Sequence, residues 1–377
     1  MDPEELGAWL RLLLSPGIGR QQARQLLQAF GSPQAVFVQS AADWQAQGLS
    51  ARVLPALASE PPELAELLAR TQDWLAQPDC FVFTLADAGF PASLLSTDDP
   101  PLMLFAMGRL ARQWQDGQFH ESSQCVAMVG SRNPTAQGEL NAREFAQALA
   151  AQGVCVASGL ALGIDGAAHA GALDGGGTTV AVVGTGLDRV YPRRHLDLAH
   201  RIAGQGAIVS EFPLGTPPLN HHFPQRNRLI AGLAKATLVV EATLQSGSLI
   251  TARLAAEQGR DVLAIPGSIH SPQSRGCHAL IGQGARLVSS VQDVLDEIGW
   301  PNPSQAITSP ARDVEAEPEA SEHPLLQTLG YEPMSLDELQ RCCGWPTDQL
   351  QAELLGLELD GQVARRPGGV FQRLFRA

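Results

Sequence analysis

The sequence predicts an α/β protein built on a doubly wound, mostly parallel sheet, and three observations carry that expectation. Seven short, β-branched, nearly all-apolar runs occupy the middle of the 377-residue chain: CVAMVGS (125–131), VCVASG (154–159), TVAVVG (179–184), AIVSE (207–211), ATLVVEA (236–242), DVLAIPG (261–267) and ARLVSS (285–290). Runs that are apolar without alternation suit strands buried on both faces, the condition of a parallel sheet. Helical patterns fall between them at 138–151, 164–173, 196–203 and 249–258. Small, polar and charged residues gather where the runs end, at Gly130-Ser131-Arg132, Ser158-Gly159, Gly184-Thr185-Gly186, Ser210-Glu211, Glu241 and Pro266-Gly267. A doubly wound sheet collects its ligands at those carboxyl ends.

Composition narrows the class. The length suggests two or three domains. The net charge of −13 argues, taken as a whole, against a nucleic-acid binder, but the acid excess sits in the flanks, −7 before Cys125 and −6 after Trp300. The middle carries 13 basic and 13 acidic residues, so it can present a basic groove if its arginines converge on one face. The six cysteines include no CxxC pair and no histidine spacing that suggests zinc. Reduced, mostly buried thiols are expected, with no metal and no cofactor. No charged-then-apolar leader pattern opens the sequence and no run is apolar for long enough to span a bilayer, so a cytoplasmic protein without a membrane partner is expected.

Residues 1–75 read as a helical domain. LLLSPGIGRQQARQLLQAFG (12–31) has the form of a helix-hairpin-helix element with Gly17-Ile18-Gly19 as its tight turn. Such a turn can present backbone amides to a phosphate, and its acidic surroundings suit a purely structural unit at least as well.

Residues 76–300 form the sheet domain. Its first run ends in VGSR, which resembles a nucleotide-binding turn but lacks G-x-G-x-x-G, and no G-x-x-x-x-G-K-[ST] occurs, so dinucleotide and ATP binding find little support. Arg132 at the strand tip suits a phosphate, and equally a surface ion pair. In SGLALGIDGAAHAGAL, Asp165 and His169 share one helix face. With no third ligand or nucleophile in view, a capping carboxylate and a packed histidine are favoured over a metal or acid/base pair. Asn220-His221-His222-Phe223 offers stacking surface beside Arg226 and Arg228, or is simply a polar loop. The stretch 223–253 then sets Arg226, Arg228, Lys235 (the only lysine of the chain) and Arg253 around two apolar runs and the turn Ser246-Gly247-Ser248. A helix that starts on small hydroxyl residues directs amides and the positive end of its dipole at an anion, although the same residues also make ordinary N-caps.

Residues 301–323, rich in Pro, Ala, Ser and Glu, have the composition of a linker. Residues 324–377 read helix, helix, then a β-hairpin turning near Pro367-Gly368-Gly369, the order of a winged helix. Asp348, Glu353 and Glu358 make it acidic and favour protein contact over groove binding.

VGSR, SGLALGIDGAAHAGAL, GLDRVYP, SEFPLG, FPQRNRLIAGL, SGSLITAR and IPG, in this order, resemble the DNA-processing protein A family (DprA, also called Smf). The resemblance covers about residues 125–290 and departs from the family pattern at His195 and at Gly276-Cys277-His278. It implies an extended Rossmann-like sheet domain, a SAM-like helical domain before it, and a homodimer. It also implies a non-enzymatic mediator that binds and protects single-stranded DNA and loads RecA recombinase during natural transformation. The DNA contacts it implies are Arg132, Arg226, Arg228, Lys235 and Arg253; Ser131, Ser158, Gly159, Gly163, Phe223, Asn227, Ser246, Gly247, Ser248 and Thr251, in or beside the VGSR, SGLALGIDG, FPQRNR and SGSLITAR segments, complete the expected DNA-binding set. Arg132→Ala or Lys235→Ala is expected to weaken DNA binding without unfolding. The alternative is a nucleotide-hydrolysing enzyme of the LOG type, whose PGGxGTxxE motif compares with LQSGSLITA here; Glu241 is then the candidate acid or base.

Overall fold

All seven apolar runs become strands, and two further strands lengthen the sheet. The computed structural model describes residues 2–117, 125–301, 323–330, 333–366 and 369–374. Its main sheet contains β1 (Cys80–Thr84), β2 (Met103–Met107), β3 (Cys125–Val129), β4 (Cys155–Ser158), β5 (Thr179–Val182), β6 (Ala207–Ser210), β7 (Ala236–Val239), β8 (Asp261–Ala264) and β9 (Arg286–Leu287), ordered β1-β2-β6-β5-β4-β3-β7-β8-β9. Every pairing from β6 to β9 is parallel. The strands are shorter than the apolar runs that announced them, because the last residues of each run leave the ladder to form loops. This is a Rossmann-like, doubly wound α/β fold. The order reverses at β3, whose neighbours are β4 and β7, so the switch point lies between the carboxyl ends of β3 and β7.

The antiparallel extension was not legible in the sequence. β1 pairs with β2 from Cys80↔Met107 to Thr84↔Met103, and β2 pairs antiparallel with β6 at Phe105↔Ser210. Both strands are five-residue runs in an acidic, proline-containing stretch, too short for periodicity to separate strand from helix.

The two faces of the sheet carry separate cores. Phe83, Leu104, Ala127, Val182, Leu229 and Val239 belong to one, and Val126, Met128, Phe145, Val156, Leu238 and Leu263 to the other. The alternation of Val126, Ala127 and Met128 between them is the period of a strand buried on both sides. Toward β2 and β6 a third core joins Phe105 and Ile208 to Leu6, Trp9, Leu10, Leu26, Leu57 and Trp74. The amino-terminal helices, from Pro3–Leu14 to Leu64–Leu75, therefore share their core with the sheet. In the helix-hairpin-helix-like segment, Gly17 takes φ +80°, and Arg20 and Arg24 of helix Arg20–Phe30 both reach Asp99, at 2.7 and 2.8 Å. Those arginines tie the helical layer to the sheet domain.

The carboxyl-terminal domain is a winged helix. Helices Pro324–Leu329, Leu336–Cys343 and Thr347–Leu359 accompany a small sheet of β10 (Met334–Ser335), β11 (Val363–Arg366) and β12 (Val370–Arg373), ordered β10-β12-β11. Its core of Leu325, Leu339, Leu350, Leu357 and Phe371 is its own. Residues 302–322, most of the expected linker, and Pro367 and Gly368 of the expected turn lie outside the described residues. Cys80, Cys125, Cys155 and Cys277 are buried and no disulfide forms among the described residues. Among the described residues no group of side chains could hold a metal, and no helix is long and apolar enough to cross a membrane.

Candidate nucleic-acid site

The switch point is built around a six-residue turn. After β3 the chain runs Gly130-Ser131-Arg132-Asn133-Pro134-Thr135 into helix Ala136–Ala151, and almost every residue of the turn is tied down. Ser131 N–H donates to the Glu241 carbonyl (2.8 Å), and the Ser131 carbonyl accepts from Ile164 N–H (3.1 Å). Ser131 Oγ accepts from Asn133 N–H (3.1 Å), and Gln273 Nε2 donates to the Asn133 carbonyl (3.0 Å). The Glu241 carboxylate accepts from Thr135 N–H (2.9 Å) and from Thr135 Oγ1, which in turn caps the helix by accepting from Gly138 N–H (3.0 Å). Gly163, at φ +78°, lets the next loop close on the turn: a Cβ there would stand 2.4 Å from the Ser131 carbonyl oxygen.

Glu241 is thus an anchor. Burial pushes its carboxyl up, the two Thr135 bonds pull it back, and its oxygens point at the helix start. It does not line the cleft.

Over this turn opens a cleft of about 480 Å³, lined by residues 129–133, Ala161, Asp165, Asn220, Phe223, Arg226, Asn227, Thr243, residues 246–248, Thr251 and Gln273 among others. Arg132 is exposed, with its guanidinium carbon 5.7 Å from the centroid of the half-buried Phe223 ring. Phe223 also lies 5.6 Å from Tyr191, while His222 turns away to stack on Phe212 at 4.1 Å. Arg226 forms part of the floor. Only 4% exposed, it donates to the Val182 carbonyl and lies where a Gly159 side chain would be, 1.9 Å from an added Cβ. Burial lowers its pKa to about 10, Asp165 works against that shift, and Arg132 adds to it. Asp165 is the one carboxylate of the lining. It accepts from the amides of Gly159 (3.2 Å) and Ala161 (3.3 Å), while burial pushes its own pKa up. Its bonds go to the loop before helix Ile164–Asp174 and not to that helix's own amides, so it pins the loop without capping the helix; His169, fully buried with Nδ1 2.6 Å from Thr179 Oγ1, is the packed histidine.

The structure gathers Ser131, Arg132, Phe223, Arg226, Asn227, Ser246, Gly247, Ser248 and Thr251 into this cleft, with Gly159 and Gly163 packed directly beneath. Four other candidates fall outside it. Residues 222–233 are a helix and not a loop, so Arg226 and Arg228, two residues apart, point about 200° from each other. Arg228 is buried against Glu211 and Asp99, bonding the latter at 3.1 Å. Lys235 precedes β7, at the amino end of the sheet, and donates to the Ile298 carbonyl. The four residues of β7 separate it from the cleft by roughly 13 Å. Arg253 is 74% exposed, pairs with Glu257 at 3.2 Å, and lines a different groove. Ser158 is fully buried and donates to the Met128 carbonyl at 2.6 Å.

The helix start is also less open than its sequence implied. Ser246 Oγ lies 2.6 Å from Ser248 Oγ, and the N–H groups of Leu249 and Ile250 bind the Ser246 and Gly247 carbonyls at 3.2 and 3.1 Å. Hydroxyls and the helix dipole, more than a row of amides, remain for a ligand. Asn133, Thr243 and Gln273 line the cleft without having been anticipated; single polar residues in turns carry no periodicity that would have marked them.

Fold and cleft together define a Rossmann-like protein with an arginine-bearing polar site at the switch point and a winged helix attached. A family profile described as DNA recombination-mediator protein A matches residues 81–299, and one described as the DprA winged helix domain matches 309–369. The chain belongs to the DNA recombination-mediator protein A (DprA/Smf) family. It is 43% identical over 311 residues to Protein Smf of Escherichia coli, covering 81% of this chain and 80% of that one. It is 47% identical over 215 residues to DNA processing protein DprA of Streptococcus pneumoniae, covering 57% and 73%. The solved S. pneumoniae DprA structure superposes with a TM-score of 0.64 at 35% identity, covering 79% of this chain and 98% of that one. DNA processing protein A from Helicobacter pylori, whose structure is described as showing its single-stranded DNA binding mode, superposes with a TM-score of 0.51 at 28% identity, covering 58% and 95%.

Proposed function

We propose that the switch-point cleft binds the backbone of single-stranded DNA and that the protein serves as a non-enzymatic recombination mediator. The observation that carries this reading is the pairing of an exposed Arg132 with the Phe223 ring at the mouth of a polar cleft whose floor holds a second, buried guanidinium. One cation takes a phosphate, one aromatic face takes a base, and neither demands a sequence. Arg226 contributes field and shape from below, with Nη1 donating to the Val182 carbonyl. The description of the H. pylori relative points the same way.

Loading of RecA, protection of incoming strands, action in the cytoplasm and homodimer formation are parts of the same proposal. A groove lined by Leu244, Ile250, Leu280 and neighbouring residues, with Leu244 60% exposed, offers apolar surface for self-association at the β8–β9 end of the sheet. Against the competing hydrolase reading stands the position of Glu241, which accepts from Thr135 and does not line the cleft.

The test is anisotropy of a labelled oligo-dT at two salt concentrations, with duplex and mononucleotide competitors. Tight, salt-sensitive binding that neither competitor displaces supports the proposal. Binding of a mononucleotide without oligo-dT, or its turnover with loss in Glu241→Gln, overturns it.

A further inference from the structure

The carbonyls of the Arg132 turn are held from three directions, and one of them is another domain. Within the sheet domain, Ile164 N–H takes the Ser131 carbonyl and Gln273 takes the Asn133 carbonyl. The next carbonyl, that of Pro134, accepts from the guanidinium of Arg366, in strand β11 of the winged helix. β12 of the same wing packs beside helix Ala136–Ala151, which the turn leads into. Alternation along β11 places Arg365 on the opposite face, where it lies 5.7 Å from the Phe371 ring inside its own domain. The contact therefore belongs to Arg366 alone of the two. Arg366 also acts on the far end of the turn: its charge favours the ionised form of largely buried Glu241, whose carboxylate holds Thr135. Pro134 is two residues from Arg132, roughly 7 Å of chain, so motion at one end is felt at the other.

We propose that Arg366 is a positioning residue for the Arg132 turn, so that docking of the winged helix on the sheet domain sets the affinity of the cleft. The sheet domain supplies its own anchors permanently. The winged helix has a separate core and is joined through a linker-like sequence, so its anchor is conditional on docking. The ligand side of this inference rests on the cleft binding single-stranded DNA; the mechanical side does not.

The experiment compares the full-length protein with Arg366→Ala and Arg365→Ala by hydrogen exchange and by oligo-dT anisotropy across a salt series. In Arg366→Ala, amides over 131–138 should exchange faster while helix 336–343 keeps its protection, and oligo-dT should bind roughly 2- to 30-fold more weakly. The slope of log affinity against log salt should stay unchanged, because no phosphate contact is lost. Arg365→Ala should change none of these. Linkage requires the reciprocal effect, so oligo-dT bound to the unaltered protein should slow exchange over 363–366, a measurement independent of how any variant folds. Unchanged exchange over 131–138 in Arg366→Ala, or no effect of oligo-dT on the wing, overturns the inference. So does a salt slope reduced by about 0.7, which would make Arg366 a direct phosphate contact. If oligo-dT fails to bind the unaltered protein, the cleft's ligand is wrong, while faster exchange over 131–138 would still establish the mechanical coupling.

Discussion

Replacing Arg228 by alanine separates two roles that the sequence could not tell apart. The side chain is 10% exposed and bonds Asp99 through Nε at 3.1 Å and Glu211, itself 6% exposed, through a terminal nitrogen. Burial pushes the Glu211 carboxyl up and the Arg228 guanidinium down, and each opposes the other's shift. Without Arg228, the ion pair left to Glu211 among the described residues is with Arg20, at 3.6 Å. Breaking a buried pair in this way costs about 3–5 kcal/mol, most of it the desolvation of the carboxylate left behind. At about 2–4 °C per kcal/mol, the transition of the sheet domain should fall by about 6–20 °C.

Glu211→Gln combined with Arg228→Met should recover much of that loss, since a neutral pair carries no stranded charge. The pH dependence has a definite sign. A carboxyl raised above its ordinary value of 4.5 stabilises the fold while protonated and ceases to as pH rises through its folded value. The deficit of Arg228→Ala should therefore shrink on acidification toward that ordinary value. Urea unfolding at several pH values, with oligo-dT anisotropy well below the transition, measures both effects. A stability loss under about 1 kcal/mol together with weak oligo-dT binding by the folded variant would refute the reasoning and return Arg228 to the DNA surface.

Arg132→Ala should weaken oligo-dT binding by about 1.5–3 kcal/mol and flatten the salt slope by about 0.7, whereas Lys235→Ala and Arg253→Ala should stay near the unaltered affinity in the same titration. Gly159→Ala forces Arg226 off the Val182 carbonyl, and overpacking of this kind costs about 1–3 kcal/mol; unfolding and anisotropy should both register it. Asp99 is partly buried, which alone would raise it, but Arg20, Arg24 and Arg228 hold it at about 2. Its contribution is present above 3.8 and lost as pH falls toward 2, about 1 kcal/mol after discounting for its exposure. Asp99→Asn should remove that part of the acid limb in a pH series of urea unfolding.

The sequence by itself determined the parallel part of the sheet, because β-branched runs without alternation have no stable place except between two layers. It also located the polar ends of β3 and β7, the winged-helix order, and a packed His169. The direction of the arginines was decided only by the tertiary structure. FPQRNR reads as a cluster of positive charge, but in helix His222–Leu233 a two-residue spacing sends Arg226 under the cleft and Arg228 into an ion network with the amino-terminal layer. Lys235 sits at the amino end of its strand for the same kind of reason, since proximity in sequence fixes the element but not which end of the sheet a side chain serves. Nor could spacing show that Arg366 reaches Pro134 across 232 residues. Local periodicity sets which face of an element is buried; which buried or exposed groups meet is set by packing between elements, where one turn of helix or one residue of strand redirects a charge.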